Sequence, residues 1–381
     1  MLRVSGKCYL EGRGLVEACI EFDRVIRKVR SHCVPDLTLR SDELLMPGSV
    51  DLHVHVRGLG LSYKEDVSSA TSEAAYGGVT LVGDMPNTHP YLNTAEAVLE
   101  KLREMERSRI DFVVYAGVGS ETKKLDAMPI AGYKVFPEDL ERPELEDVLS
   151  SSKLKILHPE VPNSLQGQRT LRALWQELAS LRLVRGRFHV THCTSKETVE
   201  LAHGSGFTAD LTPHHLLLHE SDCWDKVNPP LRDETTRRAL WDSLWVAEAV
   251  VSDHAPHLPE EKRWHYDICP PGIAAISFTT PFIYSLVFRG VLSVDRAVQL
   301  LSKGPATILG LKMGEIAEGF AANFTVVRRE YWRYSTAYTK ASHTPLDGYP
   351  LNARVTMTFV QGKVAFDGGE VYPVRGVNAI A

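Results

Sequence analysis

Short apolar stretches recur between residues 46 and 258, and most are followed by a segment in which apolar positions repeat with helical spacing. Eight of these stretches have the composition of β-strands: 47–55, 79–85, 110–117, 130–136, 153–158, 187–192, 207–213 and 248–254. Strands that alternate with helices indicate parallel βα units. Eight such units predict an α/β fold, a closed (β/α)8 barrel of the TIM type.

The intervening segments predict five helices, over 66–76, 94–107, 164–181, 195–203 and 234–247. Thr94 is expected to cap the second of them. Thr194 and Glu197 have the spacing of a capping box for the helix over 195–203, and Gly204 and Gly206 provide its end.

The two ends of the chain lack helical periodicity and contain short β-like pieces separated by glycine-bearing turns. We therefore expect residues 1–45 and 315–381 to pair into a small β-domain beside a barrel formed by residues 46–314.

Composition narrows the classes of function. The net charge is −5 and no basic run is present, which argues against nucleic-acid and membrane partners and favours a small-molecule substrate. No signal peptide and no apolar run of about 18 residues occurs, so a cytoplasmic location is predicted. The six cysteines are scattered without a CxxC motif and are expected to be buried free thiols.

Six of the eight predicted strands carry a polar side chain suited to chemistry at or just past the carboxyl end: His53 and His55, Asn87, Lys134, His158, His192 and Asp253. The carboxyl ends of barrel strands form the active-site face, so these side chains should converge. His53 and His55 are two residues apart and should point to the same face of their strand. Four imidazoles and one carboxylate exceed the needs of one tetrahedral zinc, but suit two metals that share a bridging ligand.

Lys134 is the unusual member of this set. An ammonium beside two cations would be repelled, and a neutral amine has one lone pair and cannot bridge. Carbon dioxide would convert the amine to a carbamate, an anion with one oxygen for each metal. The alternative is an ordinary lysine that forms a salt bridge.

The order of motifs resembles that of the dihydroorotases of the amidohydrolase superfamily. The chain contains "DLHVHVRG", "YKED", "GGVT", "MPNT", "YKVF", "ILHPE", "FHVTHCTSKE", "NPPLR", "SDHAPH", "CPPG", "KGPATILGL" and "GEIAEGFAANFTVV" in that order. The resemblance covers nearly the whole chain, and it implies that His53, His55 and Asp253 bind one divalent metal and His158 and His192 a second. Zinc is the expected metal, with carbamylated Lys134 and a hydroxide bridging the pair.

The same resemblance implies a set of substrate-binding residues. Arg57 and Asn87 would hold a carboxylate and His257 would contact the same end, in agreement with the fit of a guanidinium to a carboxylate. Asn228 and the backbone of Pro271 and Gly272 would enclose the substrate ring.

The implied activity is the reversible cyclisation of N-carbamoyl-L-aspartate to L-dihydroorotate in pyrimidine biosynthesis, with Asp253 moving the proton. Two alternatives stay open: another cyclic amidohydrolase, of the dihydropyrimidinase or allantoinase type, and a scaffold homologue that lacks metal. Such a chain could also assemble into a homo-oligomer and could associate with aspartate transcarbamoylase.

Three further segments carry weaker expectations. His189, His254 and Cys193 should point away from the site, because each lies next to, or three residues before, a predicted ligand. His214 or His215 could support a ligand from behind. Residues 136–144 contain two prolines and four acids, which predicts either an exposed mobile loop that closes over substrate or a plain surface turn.

Overall fold

The computed structural model describes residues 1–162, 174–219 and 222–381. The strands are β1 (Leu2–Leu10), β2 (Gly14–Phe22), β3 (Ile26–Arg30), β4 (Leu37–Thr38), β5 (Glu43–Pro47), β6 (Ser49–Val54), β7 (Val79–Asp84), β8 (Asp111–Gly117), β9 (Gly132–Val135), β10 (Leu154–Leu157), β11 (Phe188–Val190), β12 (Thr208–Leu211), β13 (Ala249–Val250), β14 (Phe324–Arg333), β15 (Pro350–Val360) and β16 (Lys363–Phe366). The α-helices are α1 (Val67–Tyr76), α2 (Ala95–Met105), α3 (Thr122–Asp126), α4 (Leu145–Ser150), α5 (Leu174–Ser180), α6 (Lys196–Gly204), α7 (Pro213–Leu217), α8 (Glu234–Leu240), α9 (Ile276–Phe288), α10 (Val294–Val298) and α11 (Gly304–Leu309).

Strands β6 to β13 form one parallel sheet in sequence order, and each corresponds to one of the eight predicted stretches. The first and last strands approach each other at their carboxyl ends, where Val54 forms a bridge with His254 and the His55 amide donates to the His254 carbonyl at 2.8 Å. The predicted (β/α)8 barrel is therefore confirmed.

Alternation along the barrel strands separates two apolar clusters. Leu81 and Val113 belong to a cluster that collects side chains from several successive strands, as expected for the barrel interior. Their neighbours Val82 and Val114 belong to the larger cluster that packs between the strands and the helices. A one-residue shift of register would exchange these faces, so the apolar pattern fixes the register.

The two chain ends form a second sheet in the order β16-β15-β14-β5-β1-β2-β3. Its centre joins the ends directly, because β5 pairs antiparallel with β14. The small sheet built from both ends is thus confirmed. Beyond β16 the chain returns to the barrel, where the Val377 amide donates to Asp111 at 2.9 Å.

Two buried glutamates connect the α1 region to the connection between β14 and β15. The Glu73 carboxylate accepts the backbone amides of Ala337 and Thr339, at 3.0 and 3.2 Å. Glu65, just before α1, accepts the hydroxyl of Thr339. These bonds attach the second sheet to the segment that follows the first barrel strand.

The residue that caps the N-terminus of α6 differs from the predicted one. Ser195, not Thr194, is the N-cap and accepts the Thr198 amide at 3.1 Å. The amide and hydroxyl of Thr194 instead donate to the buried carboxylate of Glu177, so this side chain is not available to cap the helix. Thr94 caps α2 as predicted.

Two predicted helices differ from those observed. Most of the helix predicted over 164–181 lies outside the described residues, and α5 covers its last part. The helix predicted over 234–247 divides into α8 and a 3-10 turn, Trp241–Trp245.

No helix in the three described ranges is both long enough and apolar enough to cross a bilayer.

The expectation of six free thiols is wrong for four cysteines. Cys19 and Cys33 form one disulfide and Cys223 and Cys269 another, with Cα atoms 5.9 and 6.2 Å apart. Cys8 and Cys193 are free and buried. The sequence could not reveal these pairs, because disulfide formation depends on the distance between Cα atoms and on side-chain direction in the folded chain.

Thiol counting tests the disulfides. We expect the native protein to react slowly with an alkylating reagent, the unfolded non-reduced protein to take up two alkyl groups at Cys8 and Cys193, and the reduced unfolded protein to take up six. Mass spectrometry measures each number. Six groups without reduction would contradict both disulfides.

Candidate metal-binding and catalytic site

A cavity of about 280 Å³ lies at the carboxyl ends of the barrel strands. Its lining is His53, His55, Arg57, Asn87, Phe136, His158, His192, Asn228, Asp253, Ala255, His257, Pro271 and Gly272. Eleven of the twelve site residues predicted from the sequence are in this set. The twelfth, Lys134, is fully buried on β9, with its amine 5.3 Å from the centre of the Phe136 ring.

His53, His55 and Asp253 form a compact group that can hold a divalent metal. The Nε2 atoms of both histidines lie 3.3 Å from Oδ1 of Asp253, and one donor atom from each residue lies within 4.8 Å of the others. The opposite ring nitrogens contact Thr191 Oγ1 at 2.6 Å and Asn87 Oδ1 at 2.5 Å. An Nδ1–H donated to the Asn87 carbonyl leaves the lone pair of His55 on Nε2, the atom that faces Asp253.

The charge state of this group suits metal ligation. Burial lowers the pKa of His53 and of His55, so both imidazoles are neutral near pH 7. The pKa of Asp253 is lowered although burial alone would raise it, so the carboxyl is ionised near pH 7. Neutral imidazole and carboxylate are the forms that bind metal ions.

His158 and His192 stand next to the first group. Their ring centres are 4.6 Å apart, and the ring of His192 lies 4.9 Å from that of His53. Nδ1 of His192 is buried and has no hydrogen-bond partner among the described residues. Nε2 of His158 lies 2.5 Å from Oε2 of Glu160.

Lys134 is fully buried and close enough to His53 and His192 to affect their pKa values. Its Nζ atom has no hydrogen-bond partner in the part of the chain that the structure describes. Burial lowers its pKa to about 7, although Asp253 and Asp210 act in the opposite direction. A large fraction of the amine is therefore uncharged near neutral pH and able to react with carbon dioxide. The alternative of a salt-bridging lysine finds no carboxylate partner among the described residues.

Three residues of the site have left-handed backbone conformations, namely Arg57 (φ 60°), His192 (φ 43°) and Asp253 (φ 45°). Such conformations are uncommon outside glycine and persist where the surroundings hold them. Asp210 holds one of them, because it accepts the His192 amide at 2.5 Å while its other oxygen lies 2.7 Å from Nε2 of His189. The strand containing His189 ends at Val190, so this local bend, not strand alternation, directs His192 toward the cavity.

A polar wall faces the ligand groups across the cavity. Nη2 of Arg57 lies 3.2 Å from Nε2 of His257, which also lies 3.0 Å from the carbonyl oxygen of Pro271. Asn87 contributes to both sides, since its carbonyl oxygen contacts His55 and its side chain lines the cavity. The sequence-based assignment of Arg57, Asn87, Asn228, His257, Pro271 and Gly272 to substrate binding stays a prediction.

The remaining candidates lie outside the cavity lining. His189, His254 and Cys193 are buried but do not line it. His215 contacts Thr212 Oγ1 at 2.6 Å and the Pro229 carbonyl at 3.0 Å. Both ring nitrogens of His214 are buried without a hydrogen-bond partner among the described residues. Support of a ligand by either histidine stays a prediction.

For the segment 136–144 the sequence predicted either an exposed mobile loop or a surface turn, and the structure has a turn there. The segment contains a 3-10 turn, Pro137–Glu141, in which Pro137 and Asp139 are buried. The Asp139 carboxylate accepts the Phe136 amide at 2.9 Å, and Phe136 lines the cavity. Closure of this segment over substrate stays a prediction.

Sequence reasoning missed several residues that orient the predicted ligands, among them Thr191, Asp210 and Glu160. Glu160 lies two residues after His158 in the stretch "ILHPE", and that proximity was the only available signal. Carboxylates that bind the second nitrogen of a metal-ligating histidine fix its tautomer and raise its basicity.

Comparison with known sequences identifies close relatives. A dihydro-orotase-like family model matches residues 42–137, and an amidohydrolase family model matches residues 249–365. The chain is 54% identical over 379 residues to the dihydroorotase of Sulfurisphaera tokodaii, covering 99% of this chain and 97% of that protein. It is also 54% identical over 383 residues to the dihydroorotase of Saccharolobus solfataricus, with coverages of 99% and 98%.

Comparison with solved structures supports the fold. The L-hydantoinase (dihydropyrimidinase) from Arthrobacter aurescens matches with a TM-score of 0.86 and 23% identity, covering 98% of each chain. The D-hydantoinase (dihydropyrimidinase) from Thermus sp. matches with a TM-score of 0.85 and 20% identity, covering 98% of this chain and 96% of that one. At such identities the likeness concerns the architecture alone.

Glu160 provides a test of the second ligand group. The change Glu160→Gln keeps the size of the side chain but removes the charge that orients His158, so we expect the affinity for divalent metal to fall about tenfold to a hundredfold. Competition with a chromogenic chelator measures it, and Glu200→Gln on the exposed face of α6 is the control. Equal affinities of the two variants would contradict the role of Glu160.

Proposed function

The chain belongs to the dihydroorotase family, and we propose that it interconverts N-carbamoyl-L-aspartate and L-dihydroorotate with release or uptake of water, a step of pyrimidine biosynthesis. The relatives that carry this name match the chain from end to end at 54% identity. The chemistry is the opening and closing of a cyclic amide in the cavity at the carboxyl ends of the barrel strands.

The proposal that the substrate has a carboxylate is based on Arg57. Its side chain is 6% exposed, its Nε atom is buried without a hydrogen-bond partner, and no described carboxylate forms a salt bridge with it. Burial lowers its pKa to about 10, although the charges of Asp253, Asp84, Glu261 and Glu65 act in the opposite direction without pairing directly with it, so the guanidinium is still charged at neutral pH. A buried cation without an anionic partner is costly. The carboxylate of dihydroorotate would supply that partner, whereas an uncarboxylated dihydropyrimidine would not.

We propose a pair of divalent ions, with zinc as the expected metal. The first would be held by His53, His55 and Asp253, the second by His158 and His192, with Lys134 as a carbamate between them. The support is the set of buried, neutral or anionic donor atoms and the uncharged amine of Lys134. When bound, such ions lower the pKa of a water molecule and polarise a carbonyl group.

The residues of the chain divide the remaining tasks. In hydrolysis Asp253 takes the proton of the attacking water and delivers it to the ring nitrogen that leaves. In cyclisation a protonated Asp253 gives its proton to the departing water. Arg57, Asn87 and His257 hold the substrate carboxylate, and Asn228 with the backbone of Pro271 and Gly272 encloses the ring.

A substrate panel tests the function. Dihydroorotate, dihydrouracil, hydantoin and allantoin are assayed for ring opening by the metal-loaded protein. We expect turnover of dihydroorotate to exceed the others by several orders of magnitude. Preference for an uncarboxylated ring would assign the chain to another cyclic amidohydrolase, and a protein that binds no metal and opens none of the rings would fit the scaffold alternative.

Three further expectations accompany this function. A homo-oligomer, an association with aspartate transcarbamoylase and a cytoplasmic location stay predictions from the sequence. Size measurement of the purified protein, alone and with that enzyme, tests the first two.

Arg57 yields a direct prediction. The change Arg57→Met removes the buried charge while keeping an apolar stem, so we expect kcat/KM for dihydroorotate to fall by a factor that corresponds to a few kcal/mol. Metal content should be unchanged. An equal loss on dihydrouracil would show that Arg57 does not bind the substrate carboxylate.

Asp253 yields a prediction about pH. Hydrolysis requires the ionised carboxylate and cyclisation the protonated acid, so the rate of hydrolysis should rise with pH while the rate of cyclisation falls. Because the pKa of Asp253 is lowered below its ordinary value, both changes should appear at acidic pH, and the rate of hydrolysis should level off above that range. Asp253→Asn should abolish turnover in both directions. Parallel pH profiles, or an Asn variant with near-normal turnover, would remove Asp253 from proton transfer.

A further inference from the structure

His257 has polar neighbours at both ring nitrogens. At Nδ1 the Lys64 ammonium lies 3.2 Å away. At Nε2 the Pro271 carbonyl oxygen lies 3.0 Å away and Nη2 of Arg57 3.2 Å away. The ring is 8% exposed, so water cannot substitute freely for these partners.

Only one neutral tautomer is compatible with most of these contacts. An ammonium has donors and no acceptor, so Nδ1 must carry the lone pair that receives the proton of Lys64. Nε2 then carries the hydrogen and donates it to Pro271. In the opposite tautomer, the Nδ1–H of His257 would face the Lys64 ammonium, and both groups are donors. The lone pair of Nε2 would face the Pro271 carbonyl oxygen, and both are acceptors.

The doubly protonated ring is also disfavoured. It would place an N–H opposite the Lys64 ammonium and add a positive charge beside Arg57. Burial first, and the charges of Arg57, Lys64 and Lys262 after it, lower the pKa of His257, so the neutral ring is the relevant form.

In the Nε2–H tautomer, the hydrogen that His257 donates to the Pro271 carbonyl lies beside Nη2 of Arg57, so an anion that enters there can compete with the neutral carbonyl for it. Their nitrogens are 3.2 Å apart, and neither can accept from the other. An anion that lies beside both nitrogens would accept from both, which is the arrangement that a carboxylate fits. The tautomer of His257 therefore decides whether this wall of the cavity offers one donor or two.

We infer that Lys64 is a positioning residue that holds His257 in the Nε2–H tautomer and thereby completes the two-donor site for the substrate carboxylate. This inference rests on the proposed function. Lys64 does not line the cavity and acts from behind the ring.

Glu261 keeps Lys64 in place. Its Oε1 atom lies 2.7 Å from the Lys64 ammonium, while Oε2 accepts the Leu258 amide at 3.0 Å. Oε2 is also 3.6 Å from Nδ1 of His257, too far for a hydrogen bond in the present geometry. Without Lys64 this carboxylate becomes the nearest charged group to Nδ1 and favours a hydrogen there. The lone pair would then lie on Nε2, where it would accept from Arg57 and repel a carboxylate.

The test compares Lys64→Met with Lys64→Arg. The matched control is Lys340→Met, which removes a nearby cation that pairs with Asp66 and does not contact His257. Nitrogen-15 NMR of histidine-labelled, zinc-loaded protein reports which ring nitrogen carries hydrogen, and His257→Asn identifies the signal. Steady-state kinetics on dihydroorotate gives KM and kcat separately for each variant.

In the wild-type protein we expect His257 as the Nε2–H tautomer. Lys64→Met should move the hydrogen to Nδ1 and raise KM for dihydroorotate roughly tenfold to a hundredfold, with kcat changed much less, since one hydrogen bond to a charged group is lost. Lys64→Arg should restore most of both properties, and Lys340→Met should behave as wild type.

Other outcomes overturn the inference. A wild-type Nδ1–H tautomer contradicts it without any variant, so a Lys64→Met protein that fails to fold would not prevent the test. A raised KM with an unchanged tautomer, or a similar loss in Lys340→Met, would show that Lys64 acts through charge alone. A wild-type protein that does not open dihydroorotate would refute the proposed function, while the NMR signal would still decide the tautomer.

Discussion

The site depends on the removal of a lysine amine from water. Lys134 is fully buried among histidines, and its pKa falls to about 7 because an ammonium there would lose its hydration without gaining a partner. The same desolvation keeps His53 and His55 neutral. One physical cause thus keeps these imidazoles neutral and leaves Lys134 largely as an amine, which are the forms that the proposed metal site needs. It requires that the barrel close tightly around the strand ends.

Closure of the barrel does not by itself direct the side chains of His192 and Asp253 toward the cavity. His192 and Asp253 have left-handed backbones just past their strands, and Asp210 and Asp51 hold these bends through backbone amides at 2.5 Å and 3.1 Å. The second sheet contributes from the outside, because its β14–β15 connection is bound by Glu65 and Glu73 next to Lys64. The cavity is therefore supported from the barrel interior on one side and from the joined chain ends on the other.

The barrel strands and most of the site could be predicted because they depend on local signals. Short apolar stretches, most of them followed by segments with helical spacing, located all eight strands, and polar residues at their ends marked Lys134, His158 and Asp253. The cap of α6 and the disulfides depend instead on which distant groups meet. Thr194 has the spacing of a cap but is bound by Glu177, and Cys223 pairs with Cys269 at a sequence separation of 46.

The most direct test of the account is a crystal structure of the metal-loaded protein with anomalous diffraction recorded at the absorption edge of the metal. The account predicts two peaks roughly 3.5 to 4 Å apart, one among His53, His55 and Asp253 and one beside His158 and His192. Electron density should extend beyond Nζ of Lys134 and reach both peaks. A single peak together with an unmodified lysine amine would contradict the central claim.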